Sequence, residues 1–214
     1  MEQNNLQNVQ SVPGTTDNPS ARRQQSSGRW KLFLVIAICA SPMLASYFTY
    51  YVIKPQSRTN YGALLDPKLY PMPVLELRTL DGKPGGLDAY KGKWIMLQVN
   101  DADCQASCQK KLYDMRQLRL TQGKEMDRIE RVWLITDEQP LDTLTMREYD
   151  GTRLLRAQPE ALKAWLPADQ GTVLADHIYM IDPLGNLMMR FPKDADPNKI
   201  KKDLGRLLKA SSIG

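Results

Sequence analysis

From Leu32 to Ile53 the chain reads LFLVIAICASPMLASYFTYYVI, a run of 22 residues without a charge. About 20 apolar residues suffice to span a hydrocarbon core as a helix, so this run predicts one transmembrane helix. Trp30 at one end and Tyr47, Tyr50 and Tyr51 at the other suit the headgroup level. Pro42 would break a soluble helix and is tolerated inside a span. A cleaved signal sequence would carry an apolar core of about 7–15 residues close to the N-terminus. Here a long polar stretch comes first, which favours an anchor.

Shorter periods follow. Residues 54–73 hold several prolines and no period, and read as an extended linker. VLELRTL (Val74–Leu80) predicts a strand and DGKPGG a turn. WIMLQVN (Trp94–Asn100) is a near-continuous apolar run, as in a strand covered on both faces. A helix is expected from about Gln105, with Cys108, Leu112, Met115 and Leu118 on one face and Gly123 ending it. Arg131–Thr136 predicts a second buried strand. A short helix around Leu141–Glu148, a strand TRLLRA and a helix over Pro159–Trp165 come next. Ile178–Asp182 and Asn186–Phe191 form a hairpin about the turn DPLG, and a last helix runs from about Pro197 to Lys209. The order β-β-α-β-α-β-α-β-β-α predicts an α/β domain over 74–211, with helices on both faces of its sheet and a closing antiparallel hairpin.

Composition adds size and direction. The chain has 214 residues, of which 42% are hydrophobic and 25% charged, enough for one ordinary domain beyond the anchor. Its net charge of +5 is spread among acids, with no stripe of basic and aromatic residues to track a nucleic-acid backbone. Nucleic acid is therefore not an expected partner. Arg22, Arg23, Arg29 and Lys31 precede the span, and only Lys54 and Arg58 follow closely. That bias keeps residues 1–31 cytoplasmic and exports the rest. The first 28 residues, rich in Gln, Asn, Ser and Thr, bury too little apolar surface to order themselves.

Three cysteines and one histidine carry the candidate chemistry. Cys39 lies within the span and reads as a packing residue. Cys104 and Cys108 stand where a strand hands over to a helix, a junction whose N–H groups favour a thiolate, while Asp101 and Asp103 oppose one. Four residues apart, the two sulfurs can share a soft metal ion, form a reactive or structural disulfide, or simply pack. An exported compartment permits a disulfide. A single histidine, His177, excludes every motif that needs two. It reads as a structural residue or as a third ligand beside two thiolates, a set that suits copper.

A span, a strand, the DGK turn at Asp81–Lys83, a KGKW strand start at Lys91–Trp94, CxxxC at a helix start, and Asp176-His177 before YMID and DPLG follow in order. This series resembles the Sco/SenC family over about Val74–Lys209. The resemblance implies a thioredoxin-like domain behind one transmembrane helix, and a copper ion held by Cys104, Cys108 and His177. It also implies that Cys104 and Cys108 work as a thiol–disulfide pair. The family assembles the dinuclear copper site of cytochrome c oxidase, so the partner implied is that copper-site subunit. In a bacterium the anchor would then lie in the inner membrane, with the domain periplasmic. The family usually carries a cysteine-proline pair and a histidine farther ahead of its strand; here Gln109 follows Cys108. A reading from another class fits the same residues: a non-catalytic assembly or scaffold protein with a structural disulfide.

Overall fold

The computed structural model describes residues 21–53, 60–211 and 213. The expected disordered tail lies outside these as far as residue 20, and the expected linker does so over residues 54–59. The chain divides into two units, Met1–Ser57 and Arg58–Gly214.

In the first unit, helix α1 (Ala21–Phe48) continues into a π-helical turn at Thr49–Ile53. It begins well ahead of the apolar run, so residues 21–28, expected to be disordered, are helical. Its Gly28–Tyr51 stretch is long and apolar enough to cross a membrane, its most apolar 18 residues having a mean hydropathy of 1.9. Pro42 has no N–H to offer the Ile38 carbonyl one turn back, and the Ser41 hydroxyl donates to that carbonyl instead at 2.9 Å. Thr49 does the same for Ala45 at 2.7 Å, where the π turn opens.

In the second unit the strands are β1 (Ala63–Leu64), β2 (Leu77–Thr79), β3 (Pro84–Gly85), β4 (Trp94–Asn100), β5 (Ile129–Ile135), β6 (Thr152–Arg156), β7 (Ile178–Ile181) and β8 (Leu187–Arg190). They form one sheet in the order β1-β8-β7-β4-β5-β6-β2-β3. β4, β5 and β6 are parallel, and the other neighbours pair antiparallel. The helices are α2 (Ala106–Leu120), α3 (Thr143–Glu148), α4 (Pro159–Trp165) and α5 (Pro197–Ala210).

β4 explains the layering. Ile95, Leu97 and Val99 pack on one face with Val132, Leu134 and, from α4, Leu162 and Trp165. Trp94 and Met96 point the other way, among Met115 and Leu118 of α2 and Ile200, Leu204 and Leu208 of α5. Helices therefore cover both faces, as the sequence predicts. Element ends are fixed by caps. Asp142 accepts from the Leu144 and Thr145 amides, and Asp196 accepts from Asn198. Arg128 donates to the carbonyls of Leu208, Ser211 and Ile213, satisfying the end of α5.

The described part of the expected linker departs from the prediction. Ala63 and Leu64 pair with Arg190 and Met189, making β1 an edge strand of the sheet. Pro71 bridges to Asn186 farther along. The buried Asp203 carboxylate of α5 takes the amides of Tyr61 at 2.7 Å and Gly62 at 2.9 Å. A side chain at Gly62 would stand 2.6 Å from the Met189 sulfur, so this close approach requires glycine. Two residues of strand carry no period to read. What places them is a carboxylate some 140 residues away.

Asp203→Ala should leave two amides without their acceptor and lower stability by about 2–4 kcal/mol in denaturant unfolding, with faster hydrogen exchange across β1. An acid titration checks a second network. Burial pushes the Glu130 carboxyl up, but bonds and charge from Lys93 and Arg153 outweigh it and hold it below the ordinary range. A lowered native pKa adds stability above the unfolded value and loses it as pH falls through the native one. Glu130→Gln should therefore flatten the loss of stability below about pH 4.

Candidate thiol–disulfide site

β4 ends at Asn100, and the chain turns through Asp101–Gln105 into α2. Several bonds pin this turn to the end of β5. The Trp133 indole donates to the Asn100 carbonyl at 3.2 Å, the Ala102 amide to Asp137 at 3.1 Å, and the Thr136 hydroxyl to Asp101. Asp103 is occupied by the Gln105 amide group at 2.7 Å, and Gln109 reaches back to the Cys104 carbonyl at 2.9 Å. Cys104 thus stands just before the helix and Cys108 in its first turn. They form a disulfide, with Cα atoms 5.2 Å apart.

The disulfide is shielded. Cys104 is 8% exposed and Cys108 3%, packed with Ala102, Leu112, Trp133, Ile135 and Tyr149. Burial, with help from Glu148, raises the Tyr149 phenol above its ordinary value, so this wall stays neutral. Beyond the apolar wall one polar group meets the pair: the Gln98 amide nitrogen, 3.6 Å from the Cys108 sulfur. Gln98 is fully buried, and its side-chain oxygen has no hydrogen-bond partner among the described residues. It is not singled out from the sequence, although a polar residue between Leu97 and Val99 in a buried run is a signal.

His177, just ahead of β7, is fully buried, and both ring nitrogens are engaged. Nδ1 meets the Phe191 carbonyl at 2.8 Å; a carbonyl only accepts, so Nδ1 carries hydrogen. Nε2 faces the Asp169 amide at 3.4 Å, which only donates, and the Thr172 hydroxyl at 2.7 Å. The ring clasps the 169–172 loop to Phe191, just past the end of β8. The Arg190–Asp169 ion pair fastens the same loop. The structure brings Cys104 and Cys108 together but does not add His177 to them. Among the described residues no group of three His, Cys, Asp or Glu is placed to hold a metal ion.

A cleft of about 290 Å³ opens at the carboxyl ends of β4 and β5, lined by Asn100, Asp101, Thr136, Lys163, Val173 and Leu174 among others. It shares Asn100 and Asp101 with the segment leading to Cys104. Lys111, on α2, turns away to the Ala175 carbonyl. Burial draws its ammonium below the ordinary value, opposed by Asp176 and Asp194.

The sequence model of the transmembrane-like, thioredoxin-like C-terminal domain matches residues 94–211, and that of the transmembrane-like N-terminal domain matches 22–52. The chain belongs to this transmembrane-like, thioredoxin-like family. A comparison with curated proteins finds no match. Among solved structures, a SCO1/SenC family lipoprotein from Bacillus anthracis aligns at 19% identity and a TM-score of 0.50, covering 68% of this chain and 99% of that one. Yeast Sco1 with copper bound aligns at 14% identity and a TM-score of 0.51, covering 72% and 96%. At such identities the likeness establishes a shared fold: this family member has the Sco-type thioredoxin-like architecture. In this structure the two sulfurs are bonded to each other, and both imidazole nitrogens meet protein partners.

If His177 serves the fold, His177→Leu should lower stability by about 1–3 kcal/mol through the partners it strands. The same variant should leave the equilibrium of the Cys104–Cys108 pair with glutathione unchanged.

Proposed function

We propose that this protein is a membrane-anchored thiol–disulfide factor, held with its domain outside the cytoplasm and serving assembly of a cytochrome c oxidase copper site. The observation that carries the reading is the disulfide between Cys104 and Cys108 at the strand-to-helix junction of a thioredoxin-like fold. The basic flank ahead of the span supports the orientation, and in a bacterium the membrane would be the inner one, with the domain periplasmic. The Sco likeness supports the partner class, an oxidase copper-site subunit.

In its dithiol form the protein would act as a reductant. The Cys104 thiolate, the more exposed sulfur, attacks one sulfur of a partner disulfide and expels the other as thiolate. The Cys108 thiolate then attacks the Cys104 sulfur, closing the internal disulfide and releasing the second partner sulfur. The partner gains two electrons, and two protons pass from the dithiol to the partner's sulfurs. The N-terminal end of α2 favours the thiolate at Cys108. Copper, as cargo, would find only the two sulfurs here.

A second reading rests on the shielding of both sulfurs: the disulfide is structural and the protein a non-catalytic scaffold. Redox titration of the full chain in detergent separates the two. The thiol–disulfide reading expects native exchange with glutathione and preferential alkylation at Cys104, lost in Cys104→Ser. A disulfide that reduces only when the domain unfolds favours the scaffold. In a Cu(I) chelator competition with reduced protein, His177→Ala should match the wild type, whereas Cys104→Ser abolishes any uptake.

A further inference from the structure

We infer that Gln98 is the hydrogen-bonding partner of Cys108 in both oxidation states, and that its amide shifts the dithiol–disulfide balance toward the dithiol. The inference rests on the thiol–disulfide reading above and names a residue for that chemistry.

β4 is an unlikely place for an amide. Every other side chain from Trp94 to Val99 is apolar and buried, and a methionine or leucine would fill the position without desolvation cost. Gln98 pairs across the backbone with Trp133 of β5 and Ile178 of β7, so it sits in the middle of the sheet with no route to solvent. By strand alternation it shares the face of Trp94 and Met96, which α2 covers. There its Nε2 meets the Cys108 sulfur at 3.6 Å, while Oε1 has no hydrogen-bond partner among the described residues.

The two ends of an amide answer different forms of sulfur. In the disulfide, the Cys108 sulfur is a weak acceptor for Nε2–H, and Oε1 stays unsatisfied. Reduction breaks the S–S bond. Two glutathione thiols give up two electrons and two protons and become one glutathione disulfide, while Cys104 and Cys108 become thiols. A Cys108 thiol can donate to Oε1 after a half-turn of the amide, and a Cys108 thiolate is a far stronger acceptor for Nε2–H. Either way the bond in the reduced form, S–H to an amide oxygen or N–H to a thiolate, is stronger than the N–H contact to a disulfide sulfur. The difference favours reduction.

The test is the equilibrium constant with glutathione for the full chain in detergent, measured for wild type, Gln98→Met and Gln98→Leu, with melting temperatures of both redox forms. The expected result is a shift of about tenfold toward the disulfide in both variants, equivalent to about 30 mV for a two-electron couple. The oxidised variants should melt no lower than wild type, since an unsatisfied buried oxygen has been removed. A wild type that exchanges, with variants unchanged within twofold or shifted toward the dithiol, overturns the role of Gln98 and leaves the thiol–disulfide reading standing. A wild type that does not exchange while folded overturns both.

Discussion

The burial of β4 on both faces is the constraint from which the domain is built. A strand with no solvent side must find partners for every backbone group within the sheet, and β4 does so with β5 on one edge and β7 on the other. It must also have helices above and below, which α4 supplies on one face and α2 and α5 on the other. The parallel register with β5 requires a crossover, and α2 is that crossover. The strand-to-helix junction carrying the cysteines is thus a consequence of how β4 is covered.

That origin also explains the rigidity of the junction. The turn from Asn100 to Gln105 is bonded to Trp133 within β5 and to Thr136 and Asp137 just past its end. β5 is itself fixed by seven paired residues along β4. Cys104 and Cys108 are held at their separation by the sheet, and the sheet places the Gln98 amide beneath them. Position and chemistry come from one strand.

Much of this was legible because β4, β5 and the helices have long or clean periods. Trp94–Asn100 and Pro159–Trp165 carry the predicted bounds, and the last helix ends one residue beyond its prediction. β1 was not legible. Its two residues have no alternation, and their place depends on Asp203, far along the chain. At the site, the cysteine spacing and helix start sufficed to bring two sulfurs into reach. Gln98 is not legible because five apolar residues out of seven make β4 read as a buried strand whatever stands at position 98. His177 shows the opposite limit: its position in sequence is compatible with a ligand, but whether a ring faces a sulfur or a carbonyl is decided by tertiary packing.

The clasp around His177 separates the fold from the site. In this chain the imidazole joins the 169–172 loop to Phe191, in company with Arg190–Asp169 and the Tyr179 hydroxyl on Pro167. Burial raises the Tyr179 phenol well above its ordinary value, so that hydroxyl remains a donor and the loop stays tied. To face a metal the ring would give up its contacts with Phe191, Asp169 and Thr172. The thioredoxin-like frame can therefore hold two cysteines in place while its histidine serves the loop behind them.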